Sequence, residues 1–177
     1  MFAHNDINIA NTVQIGGTVK WNDFNIGVLL RRHNETDCGA PVRYRADMWR
    51  SPEEIFNKSY VKPQESDVYS FGNVLYQVMT RHQPWTFKEP LGKLSIEEIV
   101  ERKKNGTLPT IPEQYKNSTR NEIHGLLYAT EACFQLASEK RPTAYQIAQS
   151  LGRVFDLGRS YPRRRVASEA IRNLFTK

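Results

Sequence analysis

The sequence predicts a mainly α-helical fold that begins with one small β-hairpin. Two short, β-branched stretches flank Gly16-Gly17 near the start of the chain, and this pattern is typical of two strands joined by a tight turn. From Ser51 onward, the apolar residues recur mainly at helical spacing. The length of 177 residues fits a single domain, because domains mostly run to ~100–150 residues.

The hairpin comes first and fixes which side chains meet at its open end. Residues 12–15 (TVQI) and 18–22 (TVKWN) are joined by two glycines. A two-residue loop places Asn11 opposite Asn22, with Asp23 next along the chain. Directly opposed residues lie about 4.5–5.5 Å apart, so we expect Asn11 and Asp23 to share this end of the hairpin.

Residues 26–50 carry Gly, Pro and many charges without clear periodicity. They predict a long loop, ordered or semi-ordered. A loop of that length in a compact domain is usually functional or disordered.

Helices follow from Ser51. In SPEEIF, Ser51 is a candidate N-cap, Pro52 suits the first turn, and two glutamates favour a positive helix start. The stretch 66–80 has apolar residues on a broad face, which predicts a buried helix, and these residues are Val68, Phe71, Val74, Leu75, Val78 and Met79. Further helices are predicted at Ser95–Lys104, Arg120–Leu136 and Thr143–Leu157, with LPTIPEQY extended between the first two.

Composition narrows the class of protein. Charged residues make up 25% and apolar residues 39%, which is typical of a globular chain. No apolar run approaches the ~20 residues that span a bilayer. The start has no signal-peptide pattern, so we expect a cytoplasmic, intracellular protein in which Cys38 and Cys133 are free thiols.

The formal net charge of +6 is concentrated in a basic tail. Residues 159–177 hold six Lys or Arg and one Glu, whereas the rest of the chain is nearly neutral. This distribution argues against a nucleic-acid-coating surface. The tail has apolar residues at roughly helical spacing, so it fits a solvated terminal helix, or one that docks on the domain, on a protein partner or on an anionic membrane.

The residues at the open end of the hairpin are the candidates for a functional site. The amide oxygen of Asn11 and the carboxylate of Asp23 are hard ligands suited to Mg²⁺, which takes few protein ligands together with phosphate and water. Asp6 lies five residues before Asn11, where a carboxylate can accept a proton from a hydroxyl nucleophile. Taken singly, each residue also fits an ordinary turn cap, so their joint spacing is what favours a site.

That spacing, H-x-D-x-x-x-x-N (4–11) followed by Asp23-Phe24, resembles the catalytic and metal-binding loops of eukaryotic protein kinases. The resemblance implies transfer of the ATP γ-phosphate to a protein hydroxyl. It implies that Asp6 acts as base and that Asn11 and Asp23 bind Mg²⁺ and the nucleotide. Asn8 would lie near the transferring phosphate. His4 and Phe24 would support the structure.

Later landmarks follow in the order that the family has. Ser51-Pro52-Glu53 resembles the A-P-E that ends the activation segment, here 23–53. Asp67, Tyr69, Ser70 and Gly72 match D-x-[WY]-S-x-G, and the resemblance implies that Asp67 accepts hydrogen bonds from the catalytic-loop backbone. Cys133 and Arg141-Pro142-Thr143 resemble the C-x7-R-P-T of tyrosine and tyrosine-kinase-like members. The resemblance also pairs Glu53 with Arg141.

The matched region, about 4–155, resembles only the larger, C-terminal lobe of the α+β kinase fold. A glycine-rich loop and the strand lysine of the smaller lobe are not found before residue 4, so we expect a truncated chain with little activity alone. Four substitutions depart from the family pattern: Asn5 for Arg, Asn8 for Lys, Asn25 for Gly, and Ala46 for a hydroxyl residue. They leave open whether the acceptor is Ser/Thr or Tyr.

We expect residues 1–157 to form the kinase-like lobe and 158–177 the basic tail. Within the lobe, residues 4–25 form the catalytic loop and hairpin, and residues 54–157 form the helical body. The alternative to an enzyme is a pseudokinase-like scaffold that binds a protein partner without catalysis. The sequence leaves the substrate and the oligomeric state open.

Overall fold

A computed structural model describes residues 2–33, 36–42, 48–56, 60–86 and 93–160. Their α-helices are α1 (Pro52–Phe56), α2 (Pro63–Thr80), α3 (Ile96–Lys104), α4 (Glu113–Lys116), α5 (Asn121–Cys133) and α6 (Ala144–Ser160). Their strands are β1 (Phe2–Ala3), β2 (Thr12–Ile15), β3 (Thr18–Trp21), β4 (Val28–Leu29), β5 (Arg32–His33), β6 (Thr36–Asp37), β7 (Ala40–Pro41) and β8 (Tyr60–Val61). The predicted class was mainly α-helical with one small β-hairpin. The helical character and the hairpin are confirmed for this part of the chain, which also has three further two-stranded sheets.

The hairpin forms in the predicted register. Strands β2 and β3 are antiparallel, and Thr12 lies opposite Trp21. Gly16 and Gly17 have φ of +58° and +79°, in the region that glycine enters without a steric penalty. One step beyond the ladder, the N–H of Asn22 donates to the carbonyl of Asn11 at 2.8 Å, so these residues face each other as expected.

The segment 26–50 has more structure than predicted. Strand β4 pairs with β1, β5 with β6, and β7 with β8, all antiparallel. Each of these strands has two residues, which is too short for an alternating pattern to appear in the sequence. The prediction of one long loop was therefore wrong for the described residues of this segment.

Helix α2 is the central element of the helical body. It packs against α5, and α5 packs against α6. Its buried apolar side chains and those of its neighbours form the core; among them are Val68, Leu75, Tyr76, Met79, Leu127, Ala129, Cys133, Ile147 and Val154. Val78 is an exception to the predicted apolar face, because 55% of it is exposed.

Two glycines let these helices approach closely. A Cβ on Gly72 of α2 would lie 2.7 Å from the Cβ of Cys133 on α5. A Cβ on Gly125 of α5 would lie 2.8 Å from Val154 on α6. Both distances are shorter than real carbon contacts, so glycine sets the spacing between the three helices. Gly72 of the D-x-Y-S-x-G match therefore has a packing reason.

Several helix ends differ from prediction. Helix α2 begins at Pro63, since proline is well suited to the first turn. Helix α3 begins as predicted after Ser95, whose side chain forms a capping box with Glu98. LPTIPEQY is not extended throughout, because α4 begins at Glu113. Helix α6 continues beyond Leu157 to Ser160.

Within the described ranges, no helix combines the length and apolar character needed to cross a membrane.

Candidate active site

The loop of residues 4–11 is fastened to the central helix. The backbone N–H groups of His4 and Asn5 donate to the two carboxylate oxygens of Asp67, at 2.6 and 2.8 Å. Burial raises the pKa of Asp67 to about 6, while these two backbone donors act to lower it. Asn5 has φ of +63°, a conformation that asparagine adopts more readily than most residues. The expected contact between Asp67 and the loop backbone is present.

His4 connects this loop to the hairpin. Its Nδ1 accepts from the N–H of Asp6 at 3.2 Å, so its Nε2 donates to the carbonyl of Asn22 at 2.9 Å. Its ring lies 4.6 Å from the ring of Phe24, between centroids. His4 is 4% exposed. The residues on both sides of Asp23 are therefore held by one buried histidine.

Asp6 and Asn11 meet at a short 3₁₀ turn, Ile9–Asn11. The Nδ2 of Asn11 donates at 2.9 Å to both the carbonyl and the carboxylate of Asp6. Asn8 caps the turn, because its Oδ1 accepts from the N–H of Asn11 while its Nδ2 donates to the carbonyl of Asp6, each at 3.2 Å. Both amide atoms of Asn8 thus bind the loop itself.

The side-chain oxygens of Asn11 and Asp23, the two predicted metal ligands, accept no hydrogen bond from the described residues. The amide of Asn11 is oriented by its Nδ2, and its Oδ1 accepts no hydrogen bond from the described residues. Asp23 is exposed and has φ of +61°, and its carboxylate likewise has no hydrogen-bond donor in the described ranges. One amide oxygen and one carboxylate are the hard donors that Mg²⁺ accepts beside phosphate and water.

A second predicted contact joins α1 to the segment before α6. Arg141 donates from Nη1 and Nη2 to the two carboxylate oxygens of Glu53, at 2.6 and 2.8 Å. The Arg141 side chain is fully buried, and its guanidinium lies 5.0 Å from the centroid of the Tyr69 ring. Burial opposes ionisation of Glu53, but the hydrogen bonds and charge of Arg141 outweigh it and keep the pKa of Glu53 below its usual value.

A polar pocket of about 240 Å³ opens beside Asp6. Its lining comes from the catalytic loop, from the end of the activation segment and from α2, and consists of Asn5, Asp6, Ile7, Asn8, Trp49, Arg50 and Ser70. The pocket is large enough for an amino-acid side chain.

Sequence reasoning missed two cations near this pocket. Arg50 donates to Glu54 at 2.5 Å and to the carbonyl of Asn5 at 3.2 Å, and no local pattern signals it. Lys103 is fully buried on α3 and contacts the backbone of residues 48 and 50. A signal for Lys103 did exist, since it lies four residues after Ile99 on the apolar face of a helix.

Two sequence-based predictions fall outside the described residues. Ala46, at the position of the family's hydroxyl residue, lies in the gap at 43–47. Most of the basic tail lies beyond residue 160.

Comparisons with known proteins identify a family for this chain. The family model for the protein kinase domain matches residues 1–151. A probable serine/threonine-protein kinase of Dictyostelium discoideum is 31% identical over 152 residues, which are 85% of this chain and 8% of the relative. The dual specificity protein kinase shkC of the same organism is 28% identical over 87% of this chain and 28% of the relative.

Mitogen-activated protein kinase kinase kinase 9 of Arabidopsis thaliana is 29% identical over 150 residues, or 82% of this chain and 17% of the relative. The chain therefore spans less than a third of the length of these three relatives. Their names describe serine/threonine or dual specificity kinases, or a kinase kinase kinase, and the tyrosine-kinase-like details stay predictions. The family match covers most of the sequence, and this chain belongs to the protein kinase domain family.

Proposed function

We propose that the protein containing this chain transfers the γ-phosphate of ATP to a hydroxyl group of a protein substrate. One observation carries the proposal: the Nδ2 of Asn11 holds the carboxylate of Asp6 at 2.9 Å, which joins the proposed base and the proposed metal ligand in one cluster. The pocket that contains Asp6 supplies room for an acceptor side chain.

Each residue of the cluster has a proposed role. Asp6 orients the acceptor hydroxyl and takes its proton. Asn11 and Asp23 hold Mg²⁺ and, through it, the nucleotide phosphates. When bound, Mg²⁺ neutralises charge on the phosphate oxygens. His4 and Phe24 keep Asp23 beside Asn11, and Asp67 keeps the loop on α2.

Asn8 has a narrower role than a lysine at its position. Its amide donates to the carbonyl of Asp6, so we propose that it shapes the loop and reaches the transferring phosphate only if that bond breaks. Asn5 carries no positive charge for a phosphate on the activation segment. Arg50 instead links that segment to the carbonyl of Asn5, which supports activity that does not depend on such a phosphate.

The acceptor class follows from the relatives and stays within this proposal. The relatives named above are serine/threonine or dual specificity kinases or a kinase kinase kinase, so we propose a serine or threonine acceptor. The R-P-T motif at Arg141 resembles tyrosine-kinase-like members. Acceptor peptides that differ only in Ser, Thr or Tyr therefore belong in the assay.

We also propose that residues 1–157 are the large lobe alone and that catalysis needs a segment supplying the small lobe. An apolar cavity of about 450 Å³ supports this division, because it is open beside β1 and the site. Its lining includes Phe2, Ile7, Trp21, Phe71, Ile147 and Leu151. A helix leading into the catalytic loop would cover such a surface. Because residues 158–160 belong to α6, the proposed separate tail begins after Ser160, with a membrane or protein contact as its proposed use.

The metal assignment is tested by Asp23→Ala in a version of the protein that includes the small lobe. We expect this variant to lose Mg²⁺-dependent phosphorylation, because the carboxylate ligand is gone. Asp156→Ala is the matched control, since Asp156 is an exposed carboxylate on α6. Full activity of Asp23→Ala would remove the assignment.

A pseudokinase-like scaffold is the second candidate function. It is favoured by the use of both Asn8 amide atoms within the loop, which leaves the phosphate without a cation from that position. The open apolar cavity would then receive a protein partner.

Thermal shift separates the two functions. For an enzyme, millimolar Mg-ATP should raise the melting temperature of the protein with its small lobe and leave that of residues 1–177 nearly unchanged. For a scaffold, neither melting temperature should move.

A cytoplasmic location is part of the proposal. Both cysteines are free thiols, with Cys38 exposed and Cys133 buried, and this fits a reducing compartment.

A further inference from the structure

A buried lysine, Lys103, contacts the backbone of segment 48–50, which forms part of the lining of the pocket that contains Asp6. Lys103 has an exposure of 0%, and its Nζ lies 5.3 Å from the centroid of the Tyr69 ring and 5.4 Å from that of Trp85. It donates to the carbonyl of Met48 at 2.9 Å and to that of Arg50 at 2.5 Å. An ammonium group is costly to bury, so these contacts are what keep it inside.

The backbone carbonyl between these two, that of Trp49, also accepts hydrogen bonds. The Oγ of Ser70 and the Nδ2 of Asn73 donate to the carbonyl of Trp49, at 3.1 and 3.2 Å. Asn73 in turn accepts from the indole N–H of Trp85 at 3.2 Å. Three consecutive carbonyls, at positions 48, 49 and 50, are therefore bound by side chains of α2 and α3. Regular secondary structure would not satisfy them, because this segment is a turn.

The same segment also lines the pocket beside Asp6. Trp49 and Arg50 line the pocket together with Asp6 and Asn8. Arg50 also donates to the carbonyl of Asn5, which directly precedes Asp6. A shift of the backbone at 48–50 would thus move one wall of the pocket and the contact with the catalytic loop at once.

We propose that Lys103 is a positioning residue for the acceptor substrate. It rests on the proposed phosphotransfer and deepens it: Lys103 fixes segment 48–50, and that segment fixes where a protein hydroxyl lies relative to Asp6. The two hydrogen bonds of Lys103 that carry this inference go to the backbone of the segment and not to Asp6, Asn11 or Asp23. Its loss should therefore weaken acceptor binding and leave nucleotide binding unchanged.

The test compares Lys103→Met with Lys104→Met. Methionine keeps most of the buried stem of Lys103 but leaves the carbonyls of Met48 and Arg50 without their donor. Lys104 is the neighbouring lysine on α3 and is exposed, so its substitution controls for loss of charge on the helix. Should Lys103→Met fail to fold, Lys103→Gln takes its place. Its neutral amide on a shorter stem cannot replace the two charge-assisted hydrogen bonds, so faster exchange at 48–51 is expected there too.

Two measurements are made on each variant. Hydrogen exchange of residues 1–177 reports the backbone amides of 48–51. Steady-state kinetics on the full-length protein give KM for an acceptor peptide and for ATP. We expect Lys103→Met to exchange at least about tenfold faster at 48–51, which is the effect of losing even one charge-assisted hydrogen bond, with a rise in KM for the peptide only. Lys104→Met should match the wild type in both measurements.

The outcomes separate this inference from the proposed function. Unchanged exchange at 48–51 overturns the role of Lys103, whatever the kinetics. Faster exchange with an unchanged KM for the peptide overturns its effect on the acceptor. A wild-type protein without phosphotransfer contradicts the proposed function alone, and the exchange data then decide whether Lys103 positions the segment.

Discussion

Single side chains with opposite charges hold distant parts of this chain together. The side chain of Arg141 is fully buried. It donates to the carboxylate of Glu53 and to the backbone carbonyls of Glu65 and Gln135, which lie on three different segments. A buried guanidinium without a counter-charge would be strongly unfavourable. Glu53 supplies that counter-charge, so the pair fixes the end of the activation segment to the helical body.

Glu53→Gln should lower the free energy of unfolding by about 3–5 kcal/mol, because it leaves Arg141 buried and unpaired. Urea denaturation of residues 1–177 measures this. Glu113→Gln is the control, since the Glu113–Lys116 pair is a surface contact and its loss should change little. Equal effects of the two substitutions would contradict the structural role of Glu53.

The pH dependence of stability follows from the same carboxylate. Its folded-state pKa is below the ordinary value of 4.5, so its contribution is present above pH 4.5 and is lost as the pH falls through the folded-state value. The difference in unfolding free energy between wild type and Glu53→Gln should therefore shrink below pH 4.5. A difference that stays constant from pH 7 down to the acid transition would be inconsistent with this pairing.

The pH dependence of stability expected from Asp67 has the opposite sign, because the folded-state pKa of Asp67 is raised whereas that of Glu53 is lowered. Its pKa rises from 3.8 to about 6 on folding, so its contribution is full below pH 3.8 and is lost as the pH rises through 6. The stability of the wild type relative to Asp67→Asn should accordingly fall between about pH 4 and pH 6. Denaturation at several pH values checks this, and a rise over that interval would show that the backbone donors of His4 and Asn5 outweigh burial.

At the scale of elements, sequence patterns predicted the features that depend on residues close together in the chain. The hairpin register, the cap of α3 at Ser95 and the buried helix around Val68 each depend on residues within a few positions of one another. The two-residue strands and the partners of Lys103 depend on residues far apart, such as 48 and 103. The periodicity of apolar residues in the sequence does not reveal contacts between residues so far apart. The link between His4 and Asn22 was likewise missed.

The turn of the hairpin gives a prediction at this scale. Gly17→Val should cost about 1–2 kcal/mol, because a branched side chain is strained at φ of +79°. Gly17→Asn is the matched control, since asparagine tolerates positive φ. Urea denaturation compares the two. Similar stabilities would contradict the role of a positive φ at this turn in fixing the register that places Asn11 opposite Asn22.

For the whole molecule, the family match and the contact between Asp6 and Asn11 both support the proposed phosphotransfer. The sequence spacing predicted that Asp6 and Asn11 would lie close together. It did not predict that Asn8 would bind the loop itself or that Arg50 would join the activation segment to Asn5. Those details depend on side-chain orientation, which spacing alone does not define.

Phosphotransfer by the full-length protein, with Asp6 intact and as Asp6→Asn, tests the central claim most directly. Asparagine keeps the shape and the acceptor for Asn11 but cannot take a proton. We expect Mg-ATP to phosphorylate an acceptor peptide with the wild type and the rate to fall about 10²- to 10⁴-fold in the variant. An Asp6→Asn protein as fast as the wild type would contradict the account.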